Sequence, residues 1–115
     1  PKSGMYEISD TVRNMSQYDG LMKRDETCEY VCKKVGENIG RLREEHEVSQ
    51  AELARRIEVS RPNLNKVESG NQNFSLDYLV LIANGLDIPV IEFFSGLEKD
   101  SPRVILEKSR AADRQ

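Results

Sequence analysis

Between positions 61 and 66 the chain carries Arg61, Pro62, Asn63, Asn65 and Lys66, a set whose chemistry is hydrogen bonding rather than bond making. A guanidinium donates two parallel bonds to guanine O6 and N7, and a carboxamide pairs with adenine N6 and N7. The Lys66 ammonium can reach guanine or a phosphate, and the Pro62 ring offers apolar contact to a thymine methyl. The plainer alternative is a solvated helix face, and Asn65 fits a polar flank as well as a base contact. Upstream, Gln50 stands where a helix begins, so its side chain and the neighbouring free amides suit a phosphate. Asn71, Gln72 and Asn73 form a polar, uncharged run that can grip the other side of a groove through amide donors.

Other reactive residues are sparse. Cys28 and Cys32 lie one helical turn apart. They suit either a redox or metal sensor or, more plainly, two small apolar residues packed beside Val31 and Val35. With His46 as the single histidine, two thiolates do not complete a structural zinc site within one subunit. His46 suits the end of a helix, where the dipole favours it. No nucleophile elbow, phosphate loop or metal motif is present. The expectation is therefore a protein that is not an enzyme and has no cofactor and no metal.

The elements that must hold the 61–66 set are marked by their caps. Ser49-Gln50-Ala51-Glu52 has the form of a capping box, in which Ser49 accepts from the Glu52 amide and Glu52 reaches back to the amide of Ser49. It opens a helix over Gln50–Ile57, with Leu53 and Ile57 on one face and Ala54 small enough for close helix approach. Ser60 caps a second helix, Arg61–Val67, with Pro62 in its first turn, where no amide is needed. Only Glu58-Val59-Ser60 joins the two, so the angle is sharp and Val59 must turn inward beside Leu53, Ile57, Leu64 and Val67. Burying that face leaves Arg61, Pro62, Asn63, Asn65 and Lys66 outward. Ser69-Gly70 ends the helix, glycine suiting a left-handed exit.

Around this unit, Val31, Val35, Ile39 and Leu42 recur at helical spacing across Asp25–His46, as one helix or two broken at Gly36. Ser75 caps a helix over Leu76–Leu86, which Asp87 ends. Pro89 starts a short helix with Val90, Ile91, Phe93 and Phe94, one phenylalanine suiting the core and the other a dimer contact. Ser101-Pro102 marks a further helix start, with fraying expected over 109–115. Ser9-Asp10 is positioned to cap a helix over Thr11–Tyr18.

The chain has 115 residues and a net charge of −3, an unfavourable balance for attraction to phosphate. Over 49–67, however, Arg55, Arg56, Arg61 and Lys66 oppose Glu52 and Glu58, four against two, or +2 locally. Any attraction to an anionic polymer must come from one face. There is no apolar run of membrane-spanning length and no basic start followed by an apolar stretch. A cytoplasmic protein without membrane association is expected. Two cysteines are too few for a disulfide framework, which agrees with a reducing compartment.

The run IGRLREEHEVSQAELARRIEVSRPNLNKVESG, followed by LVLIANGLDIPVIEFF, resembles the lambda repressor/Cro-type (XRE-like) helix-turn-helix family. The resemblance covers about half the chain, from Val35 to Phe94. It combines SQxxLA, a three-residue turn, a second helix ending in E-x-G, and the two helices that follow. It implies an all-α fold, a compact five-helix bundle, here with a helical N-terminal extension. It also implies a DNA-binding transcriptional regulator that acts as a homodimer on a partly palindromic operator in double-stranded DNA. Family roles place Gln50 on DNA, Arg61 and Pro62 at the first base-reading positions, and Lys66 at a further contact. Arg43 and Glu68 match a structural ion pair. The sequence departs from the family at Glu58, where the turn usually has glycine, and at Gly85, where alanine is common.

The expected organisation is an N-terminal extension over 1–34, a DNA-binding domain over 35–96 and a tail over 97–115. Two other readings compete. One is an antitoxin-like interaction module that binds a protein partner through 1–34 or 97–115. The other is a thiol-switched regulator using Cys28 and Cys32.

Overall fold

Each of the five α-helices among the described residues begins at a side chain that accepts from the backbone amide three residues further on. Asp25 accepts from Cys28 at 2.8 Å, Ser49 from Glu52 at 3.0 Å and Ser60 from Asn63 at 3.2 Å. Ser75 accepts from Tyr78 at 3.1 Å and Ser101 from Val104 at 3.3 Å. Each bond satisfies one of the amides that a helix start leaves without a partner. The computed structural model describes residues 25–113. Over these residues the helices are α1 Glu26–Glu45, α2 Gln50–Ile57, α3 Arg61–Glu68, α4 Leu76–Leu86 and α5 Pro102–Asp113, with a 3₁₀ helix at Val90–Phe94. No strand occurs among the described residues, and the fold is all-α. The helix expected over Thr11–Tyr18 lies outside them.

The core gathers one stripe from each element. Val35, Ile39 and Leu42 of α1 meet Leu53, Ala54 and Ile57 of α2, Leu64 and Val67 of α3, Leu79, Ile82, Ala83 and Leu86 of α4, and Phe93. Val59 fills the corner between α2 and α3 from a half-buried position against this cluster. The turn works as its length requires. Glu58 adopts φ 58°, ψ 46°, the left-handed region that costs a non-glycine residue about 1 kcal/mol. Asp87 ends α4 in the same conformation, φ 58°, ψ 48°.

Several local expectations are revised. α1 is one unbroken helix, so the boundary expected between residues 34 and 35 falls inside it. Gly36 does not break α1 but lets α3 approach it. A Cβ there would lie 2.5 Å from the carbonyl oxygens of Val67 and Glu68. Gly85 has a similar cause, since a Cβ would meet Ile57 and Leu53 at 2.7 and 2.8 Å. Ser49 caps α2, but Glu52 does not complete the box. Its carboxylate instead accepts from Arg55 and Arg56.

The helix expected after Pro89 is 3₁₀, with Phe93 fully buried and Phe94 half-buried against the core. Ile91, at 65% exposure, is its outward apolar residue instead. The C-terminal segment does not fray at 109. α5 continues to Asp113 and packs along α1, with Ile105 buried and Arg110 donating to Glu26 at 3.2 and 3.3 Å. No helix among the described residues is long and apolar enough to cross a membrane.

Candidate nucleic-acid interface

The unit α2–turn–α3 is held to α1 by one carboxylate. Glu68, the last residue of α3, accepts from Arg43 Nε at 2.8 Å and from Arg43 Nη2 at 3.1 Å. Both side chains are nearly buried, with 11% and 9% of their surface exposed. The Glu68 carboxylate holds the Arg43 guanidinium charged, raising its pKa above the ordinary arginine value against the opposing effect of burial. Arg43 Nη1 also donates to the carbonyl of Val48 at 2.8 Å. The guanidinium thus ties the loop before α2 to the end of α3. A fork of parallel donors is the geometry in which arginine holds a carboxylate most firmly.

Gln50 joins this network. Its Nε2 donates to Glu68 Oε1 at 2.9 Å. The side chain expected to point outward to a phosphate is turned back onto the ion pair. At the first position of α2, Gln50 lies within reach of Glu68 Oε1, which accepts from it alongside Arg43 Nη2. The carboxamide retains a second N–H and its carbonyl, and the side chain is half-exposed.

With Leu64 and Val67 fully buried, the outer face of α3 presents Arg61, Pro62, Asn65 and Lys66, which together line one shallow depression. All four are exposed. Arg61 and Lys66 form no ion pair among the described residues. The other two cations of the unit are occupied. Arg55 and Arg56 both donate to Glu52, and Arg56 Nη1 also reaches the carbonyl of Gly85 at 2.9 Å. The local positive charge is therefore available where α3 faces outward, a distribution that residue counting alone could not locate.

Asn63 stands apart from that group. It is half-buried, and its Oδ1 accepts from Gln72 Nε2 at 2.7 Å. That bond occupies part of the acceptor an adenine would need and braces the loop after α3. Asn71 is exposed and donates to Ser69 Oγ at 3.1 Å, while Asn73 Oδ1 lies 3.9 Å from the Cys32 thiol. The loop is thus fixed against both α3 and α1.

The two thiols do not pack as expected. Cys28 is exposed and Cys32 half-buried. Partial burial and the neighbouring Asp25 carboxylate push the Cys28 thiol above its usual pKa, opposite to the direction that makes a cysteine reactive. His46 caps α1, with Nδ1 2.9 Å from the Leu42 carbonyl. Among the described residues no group of three or more His, Cys, Asp or Glu is placed to hold a metal ion.

Two short helices joined by a three-residue turn, with a polar, cation-bearing face on the second, define the helix-turn-helix class. A helix-turn-helix family profile matches residues 39–93. The chain is 38% identical over 77 residues to an uncharacterized transcriptional regulator in the ATPase CF(0) region of Rhodospirillum rubrum, covering 67% of this chain and 71% of that protein. It is 35% identical over 68 residues to the control protein C.MunI of a Mycoplasma species, covering 58% of this chain and 92% of the relative. The crystal structure of the restriction-modification controller protein C.AhdI from Aeromonas hydrophila matches with a TM-score of 0.53 at 33% identity, over 55% of this chain and 96% of that one. This chain belongs to the XRE-like helix-turn-helix family of transcriptional regulators. Its relatives are named as regulators and control proteins, not as enzymes.

Proposed function

We propose that the protein binds a partly palindromic operator as a homodimer and regulates transcription there, in the cytoplasm. The observation that carries this is the shared exposed face of Arg61, Pro62, Asn65 and Lys66 on a helix whose orientation is locked by Arg43 and Glu68. Two copies of α3 would enter successive major grooves about 34 Å apart. Arg61 reads a G·C pair in each half-site through guanine O6 and N7. Lys66 contacts guanine or a phosphate, Asn65 a base edge or the groove wall, and Pro62 a thymine methyl. Gln50, with the amides at the start of α2, meets a phosphate, as do Asn71 and Asn73 from the loop. Asn63 contributes to base reading only through the donor that Gln72 leaves open.

A second copy needs a surface, and α4 offers one. Leu76 and Val80, one turn apart, are 69% and 42% exposed, and Leu81 and Ile91 are also exposed. The likeness to two control proteins supports a regulatory role on DNA. The alternative of a partner arm at 97–115 is not favoured, because residues 102–113 already dock on α1 through Ile105. The raised Cys28 pKa likewise gives no support to a thiol switch.

Selection of bound duplexes from a random pool tests the reading. Enrichment of a two-fold symmetric site, with loss of preference at one G·C pair per half-site on Arg61→Ala, is the expected result. A pool that yields no preferred sequence, or an Arg61→Ala variant with unchanged affinity and preference, overturns it.

A further inference from the structure

α1 begins well before the family-matched segment at residue 39, and its first half lies along the loop that follows α3. Gly70, at φ 79°, is the point of contact. A Cβ on Gly70 would stand 2.7 Å from Lys33 Cα, 3.2 Å from its Cβ and 3.3 Å from its Cγ. One residue earlier, the Cys32 thiol lies 3.9 Å from Asn73 Oδ1. The Lys33 stem therefore crosses Gly70 at the end of α3, and the residue is exposed. Lys33 forms no ion pair among the described residues, with neither Glu29 nor Glu37 one turn away engaging it. Its neighbour Lys34 carries the same charge to a different place: the Lys34 Cε approaches Gly96, beyond the 3₁₀ helix.

We infer that Lys33 is a phosphate-contacting residue. With Asn71 and Asn73 it forms a ledge, contributed by α1, that extends the DNA interface beyond the helix-turn-helix unit. This rests on the DNA-binding reading above. The ledge lies beside the C-terminal end of α3, where a helix inserted by its first turns leaves the groove and meets the sugar-phosphate backbone. An ammonium there adds affinity without base preference. It also supplies, at a chosen point, positive charge that a chain of net −3 lacks in bulk.

The test compares wild type with Lys33→Gln, Lys33→Arg and Lys34→Gln, by titrating the selected duplex across a range of salt. Glutamine keeps Cβ and Cγ, the part of the stem that lies against Gly70, so folding is preserved, and matching thermal unfolding curves verify this. Each phosphate contact adds about 0.9 to the steepness of log affinity against log salt. Lys33→Gln should reduce the slope by about 0.9 for one bound copy and about 1.8 for two. The selected sequence should not change, Lys33→Arg should restore the slope, and Lys34→Gln should leave it near wild type. An unchanged slope in Lys33→Gln, or equal losses in Lys33→Gln and Lys34→Gln, overturns the contact while wild type still selects its sequence. A wild type that binds no duplex with salt dependence removes the DNA-binding reading itself, and this inference with it.

Discussion

Arg43 and Glu68 meet as a two-pronged ion pair, 2.8 and 3.1 Å, across 25 positions of chain. The pair couples α1 to the last residue of α3, and Gln50 adds α2 to the same carboxylate. Such a pair contributes little net stability, but losing one partner leaves a buried charge alone. Glu68→Ala should destabilise the fold by about 3 kcal/mol in urea unfolding. Arg43→Met combined with Glu68→Leu should recover most of that loss. A Glu68→Ala variant as stable as wild type would show that the pair is not held as described.

Gly36 should tolerate no side chain. Alanine is favoured over glycine in a helix by about 1 kcal/mol, so an open site would gain stability on Gly36→Ala. Here the new methyl would overlap two carbonyl oxygens of α3, which are backbone and cannot rotate away. Overpacking of this kind costs about 1–3 kcal/mol. The expected outcome is a net loss in thermal unfolding, with affinity for the proposed operator falling further than stability alone explains because α3 is displaced.

Glu58→Gly should stabilise the protein by up to about 1 kcal/mol, since glycine accepts the left-handed conformation without the Cβ clash. Asp87→Gly, at nearly identical angles, should gain less, because aspartate tolerates that region better. Differential scanning calorimetry of the two variants reads the contrast directly. Equal gains would remove the side-chain explanation.

Asn38 ties α1 to the 3₁₀ helix by donating from Nδ2 to the carbonyls of Phe93 and Ser95, both at 2.9 Å. Asn38→Leu would leave these acceptors unmatched, at about 1–3 kcal/mol for each buried one. Unfolding in urea should show a loss of at least that order, together with increased amide exchange over Val90–Phe94.

Glu52 sets a pH dependence. Hydrogen bonds from Arg55 and then Arg56 lower its carboxyl below the ordinary glutamate value. A depressed folded-state pKa contributes stability that is present above the unfolded pKa, about 4.3, and is lost as pH falls through the folded value. Glu52→Gln should therefore narrow the stability difference between neutral pH and pH 3. An acid limb identical to wild type would exclude the contribution.

The legible parts of this molecule were those decided by neighbours in the chain. Ser49, Ser60 and Ser75 act on amides three residues away, and the inward stripe Leu53, Ile57, Leu64 and Val67 follows from helical spacing. What escaped was decided at long range. Whether Gly36 breaks or joins depends on carbonyls at 67 and 68. Glu52 had two local partners to choose between, an amide and the arginines, and the charged pair won. α5 looked prone to fray because the helix it packs on, α1, lies far back in the chain, Glu26 being 84 positions before Arg110. In the site, the outward set on α3 could be read from its buried opposite face. The inward turn of Gln50 and the position of Lys33 could not, since each depends on where α3 ends against α1.

The shared carboxylate of Glu68 also bears on how an operator would be discriminated. Three helices meeting at one carboxylate would, in the proposed complex, leave little freedom to tilt α3 towards an ill-fitting groove. The adjustment then falls to the double helix, whose resistance to bending and groove compression varies with base sequence. A protein of this build should therefore be selective at base pairs it never touches, favouring half-site spacers flexible enough to bring both grooves to fixed helices.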